Sequence, residues 1–278
     1  MSTTFDEAGP FSGAQVNKVQ LSKAPLVKVL AQLRFPGALG KLAGDSLDAT
    51  LGEVFSDSGY PLLERGQQAT VELTPDGPRV RAGDRVLTFS SANRKWRVSL
   101  TSEFVTLETS QYNHRDDFVV RLLAVVDTLQ NVMTIPGVGR IGYRYINRVE
   151  NITAKDSSKL LREQFHGGTA VPEGQARLMT SISEVLFSFD DDKVHGQVPR
   201  DGLVARWGML QAGQVVDPSI EPVDKASWTL DIDAFRQADA AFDREAIEEE
   251  VRRVSERAYR FFRWVVTDDF MTRFGGGE

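Results

Sequence analysis

The sequence predicts an α+β protein of two similar β-α-β(4)-α halves, forming an extended curved antiparallel sheet with helices on one side. Three observations predict it. Short runs near the start and the middle of the chain alternate apolar with polar residues. Each run is followed by helix-spaced apolar residues, then by further short strands and a longer helix. The 278 residues are 41% hydrophobic, enough for one large core or two fused ones.

The first half opens at Leu26–Phe35, where Val27, Val29, Ala31, Leu33 and Phe35 share one face and Lys28, Gln32 and Arg34 the other. That period of two marks a half-buried strand, and Pro36-Gly37 ends it. Leu47, Leu51 and Val54/Phe55 are spaced for a helix over Asp45–Phe55. Turn chemistry at Pro75-Asp76-Gly77-Pro78 and Ala82-Gly83-Asp84 then separates short strands, among them Val86–Phe89, Trp96–Leu100 and Val105–Gln111. A helix over Arg115–Gln130 closes the half, with Phe118, Leu122, Val125 and Leu129 in one stripe.

The same order restarts after Ile135-Pro136-Gly137. Arg140–Val149 alternates, Ser157–Phe165 reads as a short helix, and strands are expected at Ile182–Phe189, Val194–Val198, Leu203–Leu210 and Trp228–Ile232. A long helix over Asp243–Val266 ends the half. Ile247, Val251, Val254, Ala258, Phe261 and Val265 form its stripe; acids crowd its start and arginines its later turns, as the helix dipole favours. Val105 and Trp228 each begin a stretch reading Thr-Leu-acid, an aromatic, then an acidic helix start, which supports an internal duplication. The resulting organisation is a flexible lead-in at 1–18, halves at 19–136 and 137–270, and a flexible tail at 271–278.

The element order resembles that of the TATA-box-binding protein, in which two such halves form one saddle-shaped sheet. Three segments, LSKAPLVKVLAQLRF, GRIGYRYINRV and FFRWVVTDDF, resemble a sporadically distributed family of uncharacterised bacterial proteins of about this length. The mid-chain motif (Arg140, Gly142, Arg144, Tyr145, Ile146, Asn147, Arg148) is its most specific part. Lys28 and Gln32 stand where the family pattern leads one to expect acids. The resemblance implies a bacterial accessory protein with the patchy distribution common among defence and toxin–antitoxin genes; it supplies no activity, cofactor or catalytic residue.

Composition narrows the chemistry. No cysteine excludes disulfides, zinc fingers, iron–sulfur clusters and a thiol nucleophile. With 33 Lys+Arg against 39 Asp+Glu, the net charge of −6 argues against coating DNA by bulk charge but leaves room for a local basic face. Met1–Gln15 lacks a secretory signal and no apolar run nears a membrane span, so the chain reads as cytosolic with no membrane partner. Gly137-Val-Gly139-Arg-Ile-Gly142 matches a dinucleotide-binding pattern, but it follows a helix and leads into a strand, the reverse of what that site needs. Asp190-Asp191-Asp192 reads as a hairpin turn, and His114, His166 and His195 are scattered, so no metal or cofactor is expected.

One constellation stands out. Arg140, Arg144 and Arg148 lie on one side of their strand, with Lys28 and Arg34 on the same side of the equivalent first strand. Arg94 and Arg97 add charge nearby, and Tyr145 adds an aromatic. Such a face suits phosphates or an acidic partner; equally, its members could be solvent-side residues paired across the sheet with Glu72, Glu108 or Glu184. The expected function is a non-enzymatic bacterial binding protein, defence- or toxin–antitoxin-associated, gripping a macromolecular partner (a protein, such as a basic toxin that an acidic chain neutralises) through its sheet face, with nucleic-acid binding through an Arg-lined saddle as the alternative. The aromatic-rich C-terminal helix covers the sheet, or in part forms a homodimer interface.

Overall fold

The computed structural model describes residues 5–13, 16–42, 47–74, 77–172, 174–190 and 199–276. In chain order the elements are α1 (Phe5–Ala8), β1 (Leu26–Arg34), α2 (Asp48–Asp57), β2 (Leu62–Thr74), β3 (Gly77–Ser90), β4 (Trp96–Leu100), β5 (Phe104–Thr109) and α3 (Arg115–Val132). Then follow β6 (Val138–Glu150), α4 (Ala154–Leu160), β7 (Ser181–Ser188), β8 (Asp201–Leu210), β9 (Ser227–Ala240), α5 (Arg244–Val265) and α6 (Asp268–Arg273).

The strands form one nine-stranded antiparallel sheet in the order β2-β3-β4-β5-β1-β6-β9-β8-β7. Outward from the middle, β1-β5-β4-β3 on one side matches β6-β9-β8-β7 on the other, as a duplication requires. β2 alone has no counterpart. The second half is therefore β-α-β(3)-α among the described residues, one strand short of the expected pattern. The strand expected at Val194–Val198 lies outside the described residues.

By packing, the chain divides into two compact units whose limits differ from 19–136 and 137–270. One comprises Leu30–Gly142 with Gln237–Val251; the other comprises Met1–Val29, Tyr143–Arg236 and Arg252–Glu278. β1, β6, β9 and α5 each contribute to both, because the long closing helix and the first strand of each half run past the boundary.

In the β2–β5 unit, the alternation of β1 does what its pattern dictates: Ala31, Leu33 and Phe35 are buried. Register sets Phe89 opposite Val98 and Val98 opposite Leu107, so three neighbouring strands present one apolar face. α2 lays Leu51 and Phe55 on that face, with the Phe55 and Phe89 rings stacked at 4.3 Å. α3 adds Phe118, Leu122, Val125 and Leu129 and starts at His114, whose Nδ1 accepts the Asp116 N–H at 3.2 Å. Gly137 is structural. A Cβ there would stand 2.6 Å from the Ala240 carbonyl oxygen, so the glycine of the rejected nucleotide pattern permits a close backbone approach.

In the β7–β8 unit, β8 and β9 pair Leu203 with Ala234, Ala205 with Ile232 and Trp207 with Leu230, all buried. Phe165 meets both Trp207 and Phe261 edge-on. Asp201, buried at the start of β8, is held by Arg253 and Arg257 of α5. α4 begins earlier than its apolar spacing suggests, because Thr153 and Asp156 form a capping box. The described part of the lead-in packs on this unit. Phe11 packs on Phe187, Phe189 and Phe261, and Tyr259 donates to the Asn17 carbonyl while accepting the Val19 N–H. The tail is anchored too, with Met271 buried and Phe274 against Phe270.

Candidate functional site

The basic and aromatic constellation falls into three separate settings. In the β7–β8 unit, Lys28, Arg144 and Arg148 converge beneath residues 211–226, a strap joining β8 to β9. Lys28 Nζ donates to the Ser219 carbonyl at 3.2 Å and to its Oγ at 3.0 Å. Arg144 reaches Asp217 at 2.6 Å while its Nε and Nη2 grip Asp231 of β9 at 2.6 and 2.7 Å. Arg148 donates to the Glu221 carbonyl at 2.6 Å and pairs with Glu150 at 3.5 Å.

These contacts make a closed network. The Asp231 side chain is 3% exposed and that of Arg144 19%. Burial disfavours charge on Arg144, but the two carboxylates outweigh it and push its pKa upward, so the guanidinium is always charged. Burial would raise the Asp217 pKa; hydrogen bonds from the Ser219 hydroxyl and N–H, together with Arg144, hold it below the usual carboxylate value instead. Across the strands charges alternate: Arg144 on β6 binds Asp231 on β9, Asp231 lies opposite Arg206 on β8, and Arg206 pairs with Glu184 on β7.

In the β2–β5 unit the polar face is built differently. By register Thr88, Ser99 and Thr106 form a row of hydroxyls, which Gln32 of β1 extends through a 3.4 Å contact to Thr106. Around this row stand three ion pairs open to solvent: Arg34 with Glu103 at 2.8 Å, Arg97 with Glu108 at 3.1 Å, and Arg94 with Glu64. Arg94 takes a left-handed backbone (φ 56°) in the β3–β4 turn. Arg140 is half-buried in β6. Tyr145 belongs to neither polar face; it is buried with its ring 5.0 Å from Tyr143.

Sequence reasoning missed the acceptors that occupy these cations. Asp217, Ser219 and Glu221 lie in a Pro-containing stretch with no periodicity, and Asp231 sits inside a strand where one acid among many carries no mark. It also missed the apolar edge of the sheet. On β7 the side chains alternate half-buried and exposed, leaving Ile182 53% and Leu186 52% exposed with Glu184 between them.

The aromatics of the C-terminal helix are engaged within the chain: Phe261 is buried, and Phe262 packs against Phe270. Among the described residues there is no cluster of three or more side chains able to hold a metal, and no helix is long and apolar enough to cross a membrane. Compared with known proteins, the chain matches no family model and no curated sequence.

Proposed function

We propose that this chain is a non-enzymatic binding protein that engages a protein partner through the polar face of its sheet. The observation that carries the reading is the pairing of the arginines. Each of Arg34, Arg94, Arg97, Arg144 and Arg148 has a carboxylate partner, and Lys28 is bonded by Ser219. A charge-balanced surface of hydroxyls and ion pairs has the polar character of the rim of a protein–protein interface. Phosphate binding would instead call for unpaired cations. The net charge of −6 favours a basic partner, such as a toxin that an acidic protein neutralises. A cytoplasmic defence or toxin–antitoxin setting is the context that the family resemblance implies.

The test is co-purification of the tagged full chain from its native host, in parallel with Ser99→Arg and Val204→Arg. Each variant places a bulky cation on the polar face of one unit. Loss of a stoichiometric protein partner in either variant, with an unchanged thermal melt, is the expected result. A partner retained in both variants, or no protein partner at all, would refute the reading.

A further inference from the structure

The outer edge of β7 is where the second half lacks what the first half has. β3 is covered along its length by antiparallel β2, whereas its counterpart β7 has β8 on one side and no strand on the other among the described residues. The hydrogen-bonding phase of this edge follows from one contact. Phe189 N–H donates to the Asp201 carbonyl at 2.8 Å, and this pair continues the β7–β8 register. Bonded and non-bonded pairs alternate in an antiparallel ladder, so 181, 183, 185 and 187 point their backbone groups at β8. The N–H and C=O groups of Ile182, Glu184, Leu186 and Ser188 therefore face outward. The same residues carry the exposed side chains. The nearby turn at Gly167–Ala170 meets β7 at the side chains of Ser181 and Ser183, where the Gly168 N–H donates to Ser181 Oγ at 3.0 Å.

Resting on the protein-partner reading and deepening it, we propose that β7 takes up an extended segment of that partner as an added antiparallel strand, apolar–basic–apolar at alternate positions. An unprotected edge with exposed apolar residues is a template for such pairing, and natural proteins usually blunt it. Main-chain bonds would come from the four outward residues. Apolar side chains of the incoming strand would lie against Ile182 and Leu186, where Leu186 is already flanked by Val204 in register. A basic residue between them would meet Glu184, which is more than half exposed despite its pairing with Arg206. A second copy of the chain fits less well. The self-pairing that sets Ile182 against Leu186 is centred on residue 184 and places Glu184 opposite Glu184, a like-charge pair.

The test uses the full chain and a capped peptide carrying valine, lysine and valine at alternate positions with threonines between them (the valine–lysine peptide), with glutamate in place of the lysine in the control (the valine–glutamate peptide), read by residue-resolved amide exchange. At saturating valine–lysine peptide, the amides of 182, 184, 186 and 188 should slow about tenfold while 183, 185 and 187 stay as they were. The valine–glutamate peptide should leave all of them unchanged. Glu184→Pro removes one outward N–H and should abolish the protection. Should that variant lose the β7–β8 pairing, Ile182→Lys/Leu186→Lys tests the same edge through its side chains. Absence of protection, equal protection by both peptides, or a free chain that sediments as a dimer with these amides already protected would each overturn the proposal. Failure here with partner capture still sensitive to Ser99→Arg would refute strand addition alone; loss of partner capture altogether would refute the broader reading.

Discussion

Arg144→Ala removes the cation at the centre of the strap network and leaves two carboxylates behind. The Asp231 side chain is 3% exposed and Asp217 is little more open, so neither gains full hydration in exchange. Breaking a buried pair by deleting one partner costs roughly 3–5 kcal/mol. Arg206, opposite Asp231 in register, offers partial compensation, which places the expected loss near the lower end, about 3 kcal/mol. For a chain of this size that corresponds to a fall in melting temperature of roughly 6–12 °C, measured by calorimetry or circular dichroism. Replacing both members, Arg144→Met with Asp231→Leu, should recover part of the loss, because the more deeply buried carboxylate is then gone and only Asp217, which is less buried and still bonded by Ser219, is left without its arginine. A single variant that melts within about 1 °C of wild type would refute the reasoning. So would a double variant no better than the single.

Other expectations follow from the same structure. Asp217 has a lowered pKa in the folded state, so its contribution is full above the ordinary aspartate value and disappears as pH falls through the folded-state value. Asp217→Asn should accordingly flatten the acid limb of stability against pH, and an unaltered limb would contradict the assignment. Gly208→Ala would put a Cβ 1.7 Å from the Ser181 carbonyl oxygen, so β7 and β8 must separate there. A cost of about 2–3 kcal/mol and faster exchange at the Ser181 end of β7 are expected, and a neutral result would count against the register. Phe11→Ala should free the lead-in, which limited trypsin digestion at Lys18 and Lys23 would detect as faster cleavage; unchanged cleavage would mean the ring contacts do not hold it.

Periodicity carried the fold as far as periodicity can. The alternation from Val27 to Phe35 and the stripe from Ile247 to Val265 are direct consequences of one buried face, and every apolar member of both is buried except Val27, which is half-buried. Strand limits were less legible. β3 runs through Ala82-Gly83-Asp84, which reads as a turn: Arg85 pairs with Gln67 and Ala82 with Ala69, and the register shifts between those pairs, so the turn residues fall at a strand irregularity that pairing on either side carries through. For the candidate surface, the sequence indicated that Arg144 and Arg148 share a side and that Glu108 or Glu184 could pair with the basic residues across the sheet, as they do with Arg97 and Arg206. It gave no sign that Asp217 and the Glu221 carbonyl would cover two of these cations. Contacts between a loop and a strand more than seventy residues apart leave no local pattern to read. The outward phase of β7 was equally hidden, since it depends on which residues of β8 face it.

The most direct test of the central claim is purification of the tagged chain from its native host at low salt, followed by the ultraviolet absorbance ratio that separates nucleic acid from protein and by mass spectrometry of what accompanies it. Because Arg34, Arg94, Arg97, Arg144 and Arg148 are already paired, the account predicts a protein-like ratio, insensitive to nuclease, with one stoichiometric basic protein. A nucleic-acid ratio that nuclease abolishes, together with binding that falls steeply with salt, would contradict it.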